Sequence, residues 1–304
     1  MSEAATGAVA VSAHAKVNLL LRVLAREAEG YHGLETVFCL LDLADVLVAR
    51  RRDGAGVSID VAGDDTGPAE ENLAVRAARA LLEATGARFG VHLTLEKKIP
   101  VRAGLGGGSS DAAAALVAVN RLAGDAVPRH ELLQFAARLG SDVPFFFSGA
   151  PLALAWGHGE RLLRLPPLPA APGLLLTPPV SVATPEAYAW IDAARTGVGR
   201  RGAVALDLDA LGSWGDVARL SGNDFESVVF GRRPEVRQTF EALALTRPLL
   251  CRMSGSGSTL FAIYRSARDR DDAAMQLGRK FGTVRAVQTM ASPALGPETV
   301  ISER

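Results

Sequence analysis

The sequence predicts an α+β protein of two domains, residues 1–166 and 167–304. Its 304 residues exceed what one hydrophobic core usually organises, and 48% of them are hydrophobic against 22% charged. Strand-like and helix-like segments alternate in both halves. Between the halves, the segment 165–173 holds four prolines and no hydrophobic periodicity, which is typical of a seam between domains.

The first half predicts strands and three helices, of which the last, at 130–140, is amphipathic and ends at Gly140. Residues 8–24 alternate small apolar side chains, as an extended pair of strands would. Asn72 is a typical N-cap residue ahead of apolar residues at a four-residue repeat, and Gly86 follows as a C-cap residue. The segment 91–100 predicts a strand that Pro100 ends. The alanine-rich stretch beyond it is apolar nearly all round, so we expect a buried helix there.

The second half predicts a sheet with helices on one face, because its strands and helices alternate. Strand-like segments lie at 174–183, 248–253, 259–264 and 283–289, and helical ones at 185–195, 234–245 and 268–281.

Charge and cysteine content exclude several function classes. Lysine plus arginine equals aspartate plus glutamate, 33 of each, so no overall field attracts nucleic acid or an anionic membrane. The two cysteines, Cys39 and Cys251, are too few for a disulfide framework and lack the grouped spacing of a zinc site. Because both lie among apolar neighbours, we expect them to be buried. No segment reaches the roughly 18–20 apolar residues of a membrane helix, and no signal peptide is evident. We therefore expect a cytoplasmic protein.

The run from Gly104 to Ser110 predicts a phosphate-binding loop. Glycines let backbone N–H groups approach a ligand, and the following helix adds unpaired donors at its N-terminus. One serine hydroxyl is placed to cap the helix and the other to face a phosphate or a magnesium ion. A tight turn with a helix cap is the alternative, but the run is denser in glycine than a turn requires. It differs from the P-loop, which has a lysine before its serine or threonine, and from the dinucleotide-binding fingerprint.

Two charged residues lie in segments that should be largely buried. Lys16 interrupts an apolar strand, where an ammonium group is costly without a partner charge. Asp142 stands between the helix-ending Gly140 and an apolar strand. If the two meet, aspartate could accept the proton of a substrate hydroxyl while lysine stabilises the developing charge. A solvent-reaching lysine and a simple Asp–Pro-type turn are the alternatives.

Three further segments are candidates for ligand contact. Tyr31 and His32 place an aromatic ring and an imidazole together in a loop, for which a surface turn is the alternative. Tyr188 follows Thr184 and is either a ligand contact or part of the core. The run 253–258, MSGSGS, is overlong for a hairpin turn, so close approach to a bound ligand is the better interpretation.

Together these residues resemble the galacto-, homoserine, mevalonate and phosphomevalonate (GHMP) kinase superfamily. Its three motifs appear in order, at 16–21, 100–113 and 253–257. The strings GYH, GLGGGSSDAA and LGSDVPFF are similar to those of the branch that phosphorylates a cytidyl-diphosphate-linked polyol for non-mevalonate isoprenoid synthesis. The resemblance implies an N-terminal domain like the second domain of ribosomal protein S5, a ferredoxin-like C-terminal domain, and an active site between them.

The resemblance also implies roles for individual residues. Lys16 and Asp142 would be catalytic. The ATP site would comprise Asn72, Lys97, Pro100, Gly104, Leu105, Gly106, Gly107, Gly108, Ser109 and Ser110. The cytidyl substrate would be bound by Asn18, Tyr31, His32, Asp142, Thr184, Tyr188, Gly255 and Ser256. Mg²⁺ would be held mainly by the ATP phosphates, without a protein metal site. Residues 1–8 are expected to be a disordered tail, and the protein a monomer or weak homodimer.

Three rival functions remain at this point. The first is the same chemistry on homoserine or mevalonate, against which Tyr31 and His32 argue, because those substrates offer no base to stack on. The second is a non-catalytic relative that binds a nucleotide or metabolite as a regulator, against which the intact Lys16 and Asp142 count. A dinucleotide-dependent oxidoreductase is the weakest, because the last glycine of the fingerprint is replaced by Ser109.

Overall fold

Nineteen residues of largely apolar sequence form the first strand, β1 (Ala8–Arg26), which pairs antiparallel with β2 (His32–Arg52). The computed structural model describes residues 7–26, 32–87, 89–195, 208–293 and 300–303. The remaining elements of the first half are β3 (Val57–Ala62), α1 (Leu73–Thr85), β4 (Gly90–Glu96), α2 (Gly107–Leu122), α3 (Arg129–Leu139), α4 (Val143–Phe146), β5 (Leu152–Gly157) and β6 (Arg161–Arg164).

The second half has shorter strands and more helices. Its elements are β7 (Pro172–Thr177), α5 (Thr184–Ala194), a 3-10 turn (Asp209–Leu211), α6 (Trp214–Leu220), β8 (Gly222–Asn223), α7 (Phe225–Arg232), α8 (Pro234–Ala244), β9 (Leu250–Met253), β10 (Leu260–Ile263), α9 (Ala267–Leu277), β11 (Thr283–Gln288) and β12 (Val300–Glu303).

The strands of the described ranges form two sheets. The first has eight strands, in the order β12-β1-β2-β4-β3, with β5 and β6 extending from β2 and with β8 beside β1. The second has four antiparallel strands in the order β11-β7-β10-β9. The α+β class and the predicted sheet of the second half are thereby confirmed.

The buried helix α2 anchors the first half. Its residues from Ser110 to Leu116 are all buried, and it packs against α1 and the strands β1 and β2. Asn72 caps α1 as predicted, because its side chain accepts a hydrogen bond from the Ala74 N–H, and Gly86 ends that helix with left-handed backbone angles. This packing holds the glycine-rich loop that precedes α2 against the sheet.

The second sheet is buried on both faces. One face, with Leu174 and Leu260, packs on the helices α5, α7, α8 and α9. The other, with Leu175 and Phe261, packs on apolar residues of the first half such as Val17. Helices therefore lie on one face of this sheet, as the sequence predicts, and the first sheet covers the other.

Several local predictions were wrong. Residues 8–24 belong to one strand, whose register shifts between His14 and Lys16, and not to a pair of strands. The strand predicted at 91–100 ends at Glu96, because the N–H groups of Lys98 and Ile99 bind the Asp45 carboxylate. The segment after Asp142 is one helical turn, α4, and not a strand.

The predictions of a disordered N-terminal tail and of a domain boundary can be compared with the structure only in part. Residues 1–6 lie outside the described residues, but Ala8 was wrongly included in a disordered tail, since it pairs with Arg50 in the first sheet. The boundary at 166/167 stays a prediction. The chain passes from β6 to β7 in that region, yet β8 and β12 return from the second half to pair with β1.

Candidate active site

Lys16 is a buried cation at an irregular point of β1. Its Nζ atom lies 2.7 Å from Asn18 Oδ1, 3.3 Å from the Gly104 carbonyl oxygen and 3.2 Å from Asp142 Oδ2. The Lys16 side chain is 4% exposed and that of Asp142 is 31% exposed. The two charged residues therefore meet, and the carboxylate keeps access to solvent while the ammonium does not.

Asn18 connects Lys16 to the small-residue loop of the second half. Its Oδ1 also accepts a hydrogen bond from the Gly255 N–H at 3.0 Å, and its Nδ2 donates to Thr36 Oγ1 at 2.8 Å. The Thr36 hydroxyl in turn donates to the Leu20 carbonyl. Every polar atom of this buried amide is used, so its orientation is fixed.

The glycine-rich loop lies in close contact with Lys16 and with the loop 253–258. The Lys16 N–H donates to the Leu105 carbonyl at 2.9 Å, and the Ser254 hydroxyl donates to the Gly104 carbonyl at 2.8 Å. A Cβ atom at Gly104 would lie 2.2 Å from the Ser254 carbonyl oxygen, and one at Gly106 would lie 2.9 Å from the Lys16 side chain. Glycine is required at both positions for steric reasons.

A cavity of about 440 Å³ opens in front of this loop. It is lined by the predicted ATP-site residues Asn72, Lys97, Pro100, Gly104, Leu105, Gly106, Gly107, Gly108 and Ser109. Ser110 is buried behind them. Neither serine caps the helix, because α2 already begins at Gly107 and Gly106 is its N-cap residue without a side-chain hydrogen bond. The capping role predicted for a serine was therefore wrong.

Lys97 is held between two buried carboxylates. Its Nζ donates to Asp45 Oδ2 and, at 2.8 Å, to Asp111 Oδ2. Asp45 Oδ1 also accepts hydrogen bonds from the backbone N–H groups of Lys98 and Ile99. The three side chains are at most 4% exposed. Lys97 thus joins β2, the end of β4 and α2 behind the cavity.

The electrostatics of this triad follow from burial. Burial alone would lower the pKa of Lys97, but the carboxylates of Asp111 and Asp45 outweigh that effect and raise it. Burial and the neighbouring Asp45 raise the pKa of Asp111 from 3.8 to about 7, against the opposing effect of Lys97. Asp111 Oδ1 is buried without a hydrogen-bond partner in the described structure. Lys97 stays charged, while Asp111 is the group that takes up a proton near neutral pH.

A second cavity, of about 580 Å³, lies beside Asp142. His32, Thr184 and Tyr188 line it, and Thr184 also lines the cavity of the glycine loop. The rings of His32 and Tyr188 stack with centroids 4.9 Å apart. Burial, together with the charge of Asp142, raises the pKa of the Tyr188 hydroxyl to about 12. The two cavities are adjacent, because Thr184 lines both. Lys16 connects them, since it contacts Gly104 of the first cavity and Asp142 of the second.

The small-residue loop 253–258 closes the site from the second half. The Ser256 hydroxyl lies 2.9 Å from the Thr184 hydroxyl. Asn223 Nδ2 donates to the carbonyls of Met253 and Gly255, at 2.7 and 2.8 Å. These bonds hold Gly255 where its N–H reaches Asn18.

Two family models match the chain. One, described as the GHMP kinases N terminal domain, matches residues 72–150, and one described as GHMP kinases C terminal matches residues 203–283. The 4-diphosphocytidyl-2-C-methyl-D-erythritol kinase of Parvibaculum lavamentivorans is 39% identical over 279 residues, covering 90% of this chain and 94% of that protein. The chain belongs to the 4-diphosphocytidyl-2-C-methyl-D-erythritol kinase family.

Further relatives agree with this family. The 4-diphosphocytidyl-2-C-methyl-D-erythritol kinase of Pelotomaculum thermopropionicum is 42% identical over 254 residues, which cover 83% of this chain and 87% of that protein. A crystal structure of 4-(cytidine 5'-diphospho)-2C-methyl-D-erythritol kinase superposes with a TM-score of 0.76 at 36% identity, over 92% of this chain and 98% of the other. Homoserine kinase from Cytophaga hutchinsonii, at 18% identity and a TM-score of 0.73, shares the fold.

For this family member, sequence reasoning missed several residues that organise the site. They are Thr36, Asp45, Asp111, Asp192 and Asn223. Asp45 had a usable signal, because it interrupts an apolar run, and Asp111 directly follows the two serines. Tyr31, predicted to contact the substrate, lies outside the described residues. None of the helices in the described part of the chain combines the length and the apolar character that spanning a bilayer requires.

Proposed function

We propose that this chain transfers the γ-phosphoryl group of ATP to the 2-hydroxyl of 4-diphosphocytidyl-2-C-methyl-D-erythritol, giving the 2-phosphate and ADP. This is a step of non-mevalonate isoprenoid precursor synthesis. The observation that carries the proposal is the Lys16–Asp142 pair, 3.2 Å apart. Asp142 lines the aromatic cavity, and Lys16 contacts Gly104 of the adjacent glycine-lined one.

At the reacting centre, Asp142 acts as the general base. Its carboxylate accepts the proton of the substrate hydroxyl as the hydroxyl oxygen attacks the γ-phosphorus, and the bond from that phosphorus to the bridging oxygen of ADP breaks. Lys16 provides a compact positive charge beside the reacting groups. The carbonyl of Gly104 and the amide of Asn18 hold the ammonium group in place, so no reorganisation is needed during the reaction.

ATP is bound by the loop from Gly104 to Ser109 and the start of α2. The first N–H groups of a helix are unpaired and favour anions, and glycines allow phosphates to approach the backbone. Asn72 and Pro100 line the same cavity and contact the rest of the nucleotide. Lys97 contributes mainly by holding the loop, because two carboxylates already neutralise its charge.

Mg²⁺ fits this cavity as an ion carried mainly by the ATP phosphates. It prefers oxygen ligands and keeps several waters in kinase sites. Ser109 lines the cavity and offers a hydroxyl oxygen. In the described part of the chain, no group of three or more His, Cys, Asp or Glu side chains could hold an ion alone. When bound, Mg²⁺ would neutralise part of the phosphate charge, and Ser109 would hold it beside the loop.

The cytidine end of the substrate occupies the second cavity. The aromatic face of Tyr188 and the ring of His32 are suited to stacking and to hydrogen bonding with a base. We propose that Tyr31 is the second stacking residue. Thr184, Ser256 and Gly255 contact the substrate between the base and the reacting hydroxyl.

A coupled assay of ADP release tests the function. The protein is given Mg·ATP with the cytidyl substrate, homoserine, mevalonate or no acceptor. We expect ADP release that depends on the cytidyl substrate and falls about 10²–10⁴-fold in Asp142→Asn, because a general base typically contributes that factor.

The control variant is Asp125→Asn, which removes an exposed carboxylate at the far end of α2 and should keep full activity. ADP release with another alcohol alone would keep the kinase but remove the cytidine assignment. Binding of ATP without turnover of any acceptor would favour the regulator hypothesis instead.

A further inference from the structure

Asp192 anchors the histidine of the aromatic cavity. Its Oδ1 lies 2.6 Å from His32 Nε2, and Arg26 Nη1 lies 3.6 Å from its Oδ2. Asp192 follows Tyr188 by four residues on α5, so the two side chains occupy the same face of that helix. The His32 ring thus stacks on one residue of α5 and binds the next turn of the same helix.

The contact with Asp192 requires a hydrogen on Nε2 of His32. A carboxylate oxygen accepts, so the Nε2 atom beside it must be the donor. In the neutral imidazole, Nδ1 is then left as an acceptor. The stack on Tyr188 and the low exposure of the His32 side chain, 7%, prevent the ring from turning to present the other nitrogen.

A hydrogen-bond acceptor on a residue that lines this cavity, as His32 does, would distinguish two pyrimidines. Cytosine carries an exocyclic amino group at C4, which donates hydrogen bonds, whereas uracil carries a carbonyl oxygen there, which only accepts. A histidine nitrogen that accepts a hydrogen bond can pair with the amino group of cytosine. Beside uracil the same nitrogen faces a carbonyl oxygen, so it is left without a donor and is repelled. Unpaired buried polar groups are costly, so such a contact discriminates strongly.

We propose that Asp192 is a positioning residue that holds His32 in the Nε2–H form, so that Nδ1 accepts from the amino group of cytosine and the site selects cytidine over uridine. This inference rests on the proposed function, because it assumes that a pyrimidine base occupies the cavity. Asp192 itself does not contact the base.

The test compares cytidine and uridine forms of the diphosphate substrate in wild type and Asp192→Ala, by kcat/KM. We expect the cytidine preference to fall at least about tenfold in the variant, because the histidine can then adopt either hydrogen-bonding form. The change should appear in KM more than in kcat, since the reacting groups are untouched. Glu186→Gln is the control, since it removes a carboxylate from the same helix that pairs with Arg233.

Binding and spectroscopy complete the test. Equilibrium binding of CDP and UDP measures base preference without turnover, so failure of the kinase proposal is separable from failure of this one. Nitrogen-15 spectra of His32, assigned by comparison with His32→Gln, should report the Nε2–H form in wild type and a mixture of both forms in Asp192→Ala. Equal binding of CDP and UDP by the wild type, or an unchanged preference and His32 spectrum in the variant, would overturn the inference.

Discussion

Lys16 illustrates how one buried side chain can depend on its size as well as on its charge. Its ammonium group has three donor hydrogens and three neighbouring acceptors, from Asn18, Gly104 and Asp142. Gly106 lies against the methylene groups of the same side chain and has no room for a Cβ atom. A planar guanidinium cannot reproduce this compact arrangement.

Substitution of Lys16 by arginine should therefore be damaging although it keeps the charge. We expect kcat to fall about 10²-fold or more, as for loss of a preorganised electrostatic contact, while ATP binding changes less. Steady-state kinetics and nucleotide titration measure the two effects. Lys98→Arg, at an exposed neighbour of the site, should be neutral. Near-normal kcat in Lys16→Arg would contradict this account.

Asp111 predicts a pH dependence of stability. Its pKa is raised from 3.8 to about 7 in the folded protein. Between these values the folded chain holds a proton that the unfolded chain has released, so the free energy of unfolding falls as the pH rises through that window. One proton contributes at most about 1.4 kcal/mol per pH unit.

The variant Asp111→Asn cannot take up this proton, so its free energy of unfolding should not show this fall with rising pH. Urea unfolding at pH 5, 6, 7 and 8 measures it. We expect the wild type to lose stability relative to the variant as the pH rises from 5 to 7. Asp125→Asn, also a carboxylate-to-amide change, controls for loss of a charge at the surface. Parallel curves for the wild type and Asp111→Asn would show that Asp111 does not carry the proton.

At the scale of single residues, the sequence predicted which side chains carry the chemistry better than it predicted which side chains are in contact. Lys16 and Asp142 were identifiable because charged residues in apolar segments need partners, but only the fold brings them together. Lys97 was expected to be a nucleotide contact, and its neutralisation by Asp45 was not foreseeable, since the two residues are 52 positions apart. Long-range pairing of this kind leaves little local signal.

At the scale of elements, the loops of the two halves approach each other so closely that a Cβ atom does not fit at Gly104. Gly104 has a φ angle of +78° and its backbone meets that of Ser254. Gly124, after α2, has the same φ angle but open space around it. Comparing substitutions at these two glycines therefore distinguishes the cost of the left-handed backbone conformation from the cost of a steric clash.

Alanine at these two glycines should therefore give unequal losses of stability. Both substitutions carry the backbone cost of a left-handed residue, on the order of 1 kcal/mol. Gly104→Ala adds a clash with the Ser254 carbonyl, which we expect to cost about 1–3 kcal/mol more and to displace the phosphate loop. Urea unfolding and ADP-release assays on both variants measure this. Equal losses would mean that the loops can separate freely.

Elements with strong local signals were predicted well. Helix α1 was recognisable from Asn72 and Gly86. The helical segments predicted at 234–245 and 268–281 match α8 and α9 to within a few residues at their ends. Helices α6 and α7 were missed, because they are only seven and eight residues long. The two short strands that return to β1 were missed for another reason, since their pairing is set by the opposite half of the chain.

At the scale of the whole molecule, the two sheets share a hydrophobic core. One cluster of buried residues joins Val17 and Ile99 of the first half to Leu175 and Phe261 of the second. The strands β8 and β12 also cross from the second half to the first sheet. Neither sheet can lose its structure without exposing apolar surface of the other.

We therefore expect one cooperative unfolding transition. Trp156 lies in β5 of the first sheet, while Trp190 and Trp214 lie in helices of the second half. Urea curves followed by fluorescence in Trp156→Phe, and in the double variant Trp190→Phe and Trp214→Phe, should have the same midpoint once each variant's own change in stability, measured by circular dichroism, is taken into account. Two separate transitions would mean that the halves unfold independently.

The two cysteines make such unfolding measurable without any label engineered into the protein. Cys39 is buried in the first sheet and Cys251 in the second, and burial raises the pKa of each thiol to about 12. Only the thiolate reacts with alkylating reagents, so both should be silent in the native protein. Brief exposure to iodoacetamide during unfolding would add mass to each cysteine when its own sheet opens. The extent of alkylation at Cys39 and at Cys251 would therefore report the opening of the two sheets separately.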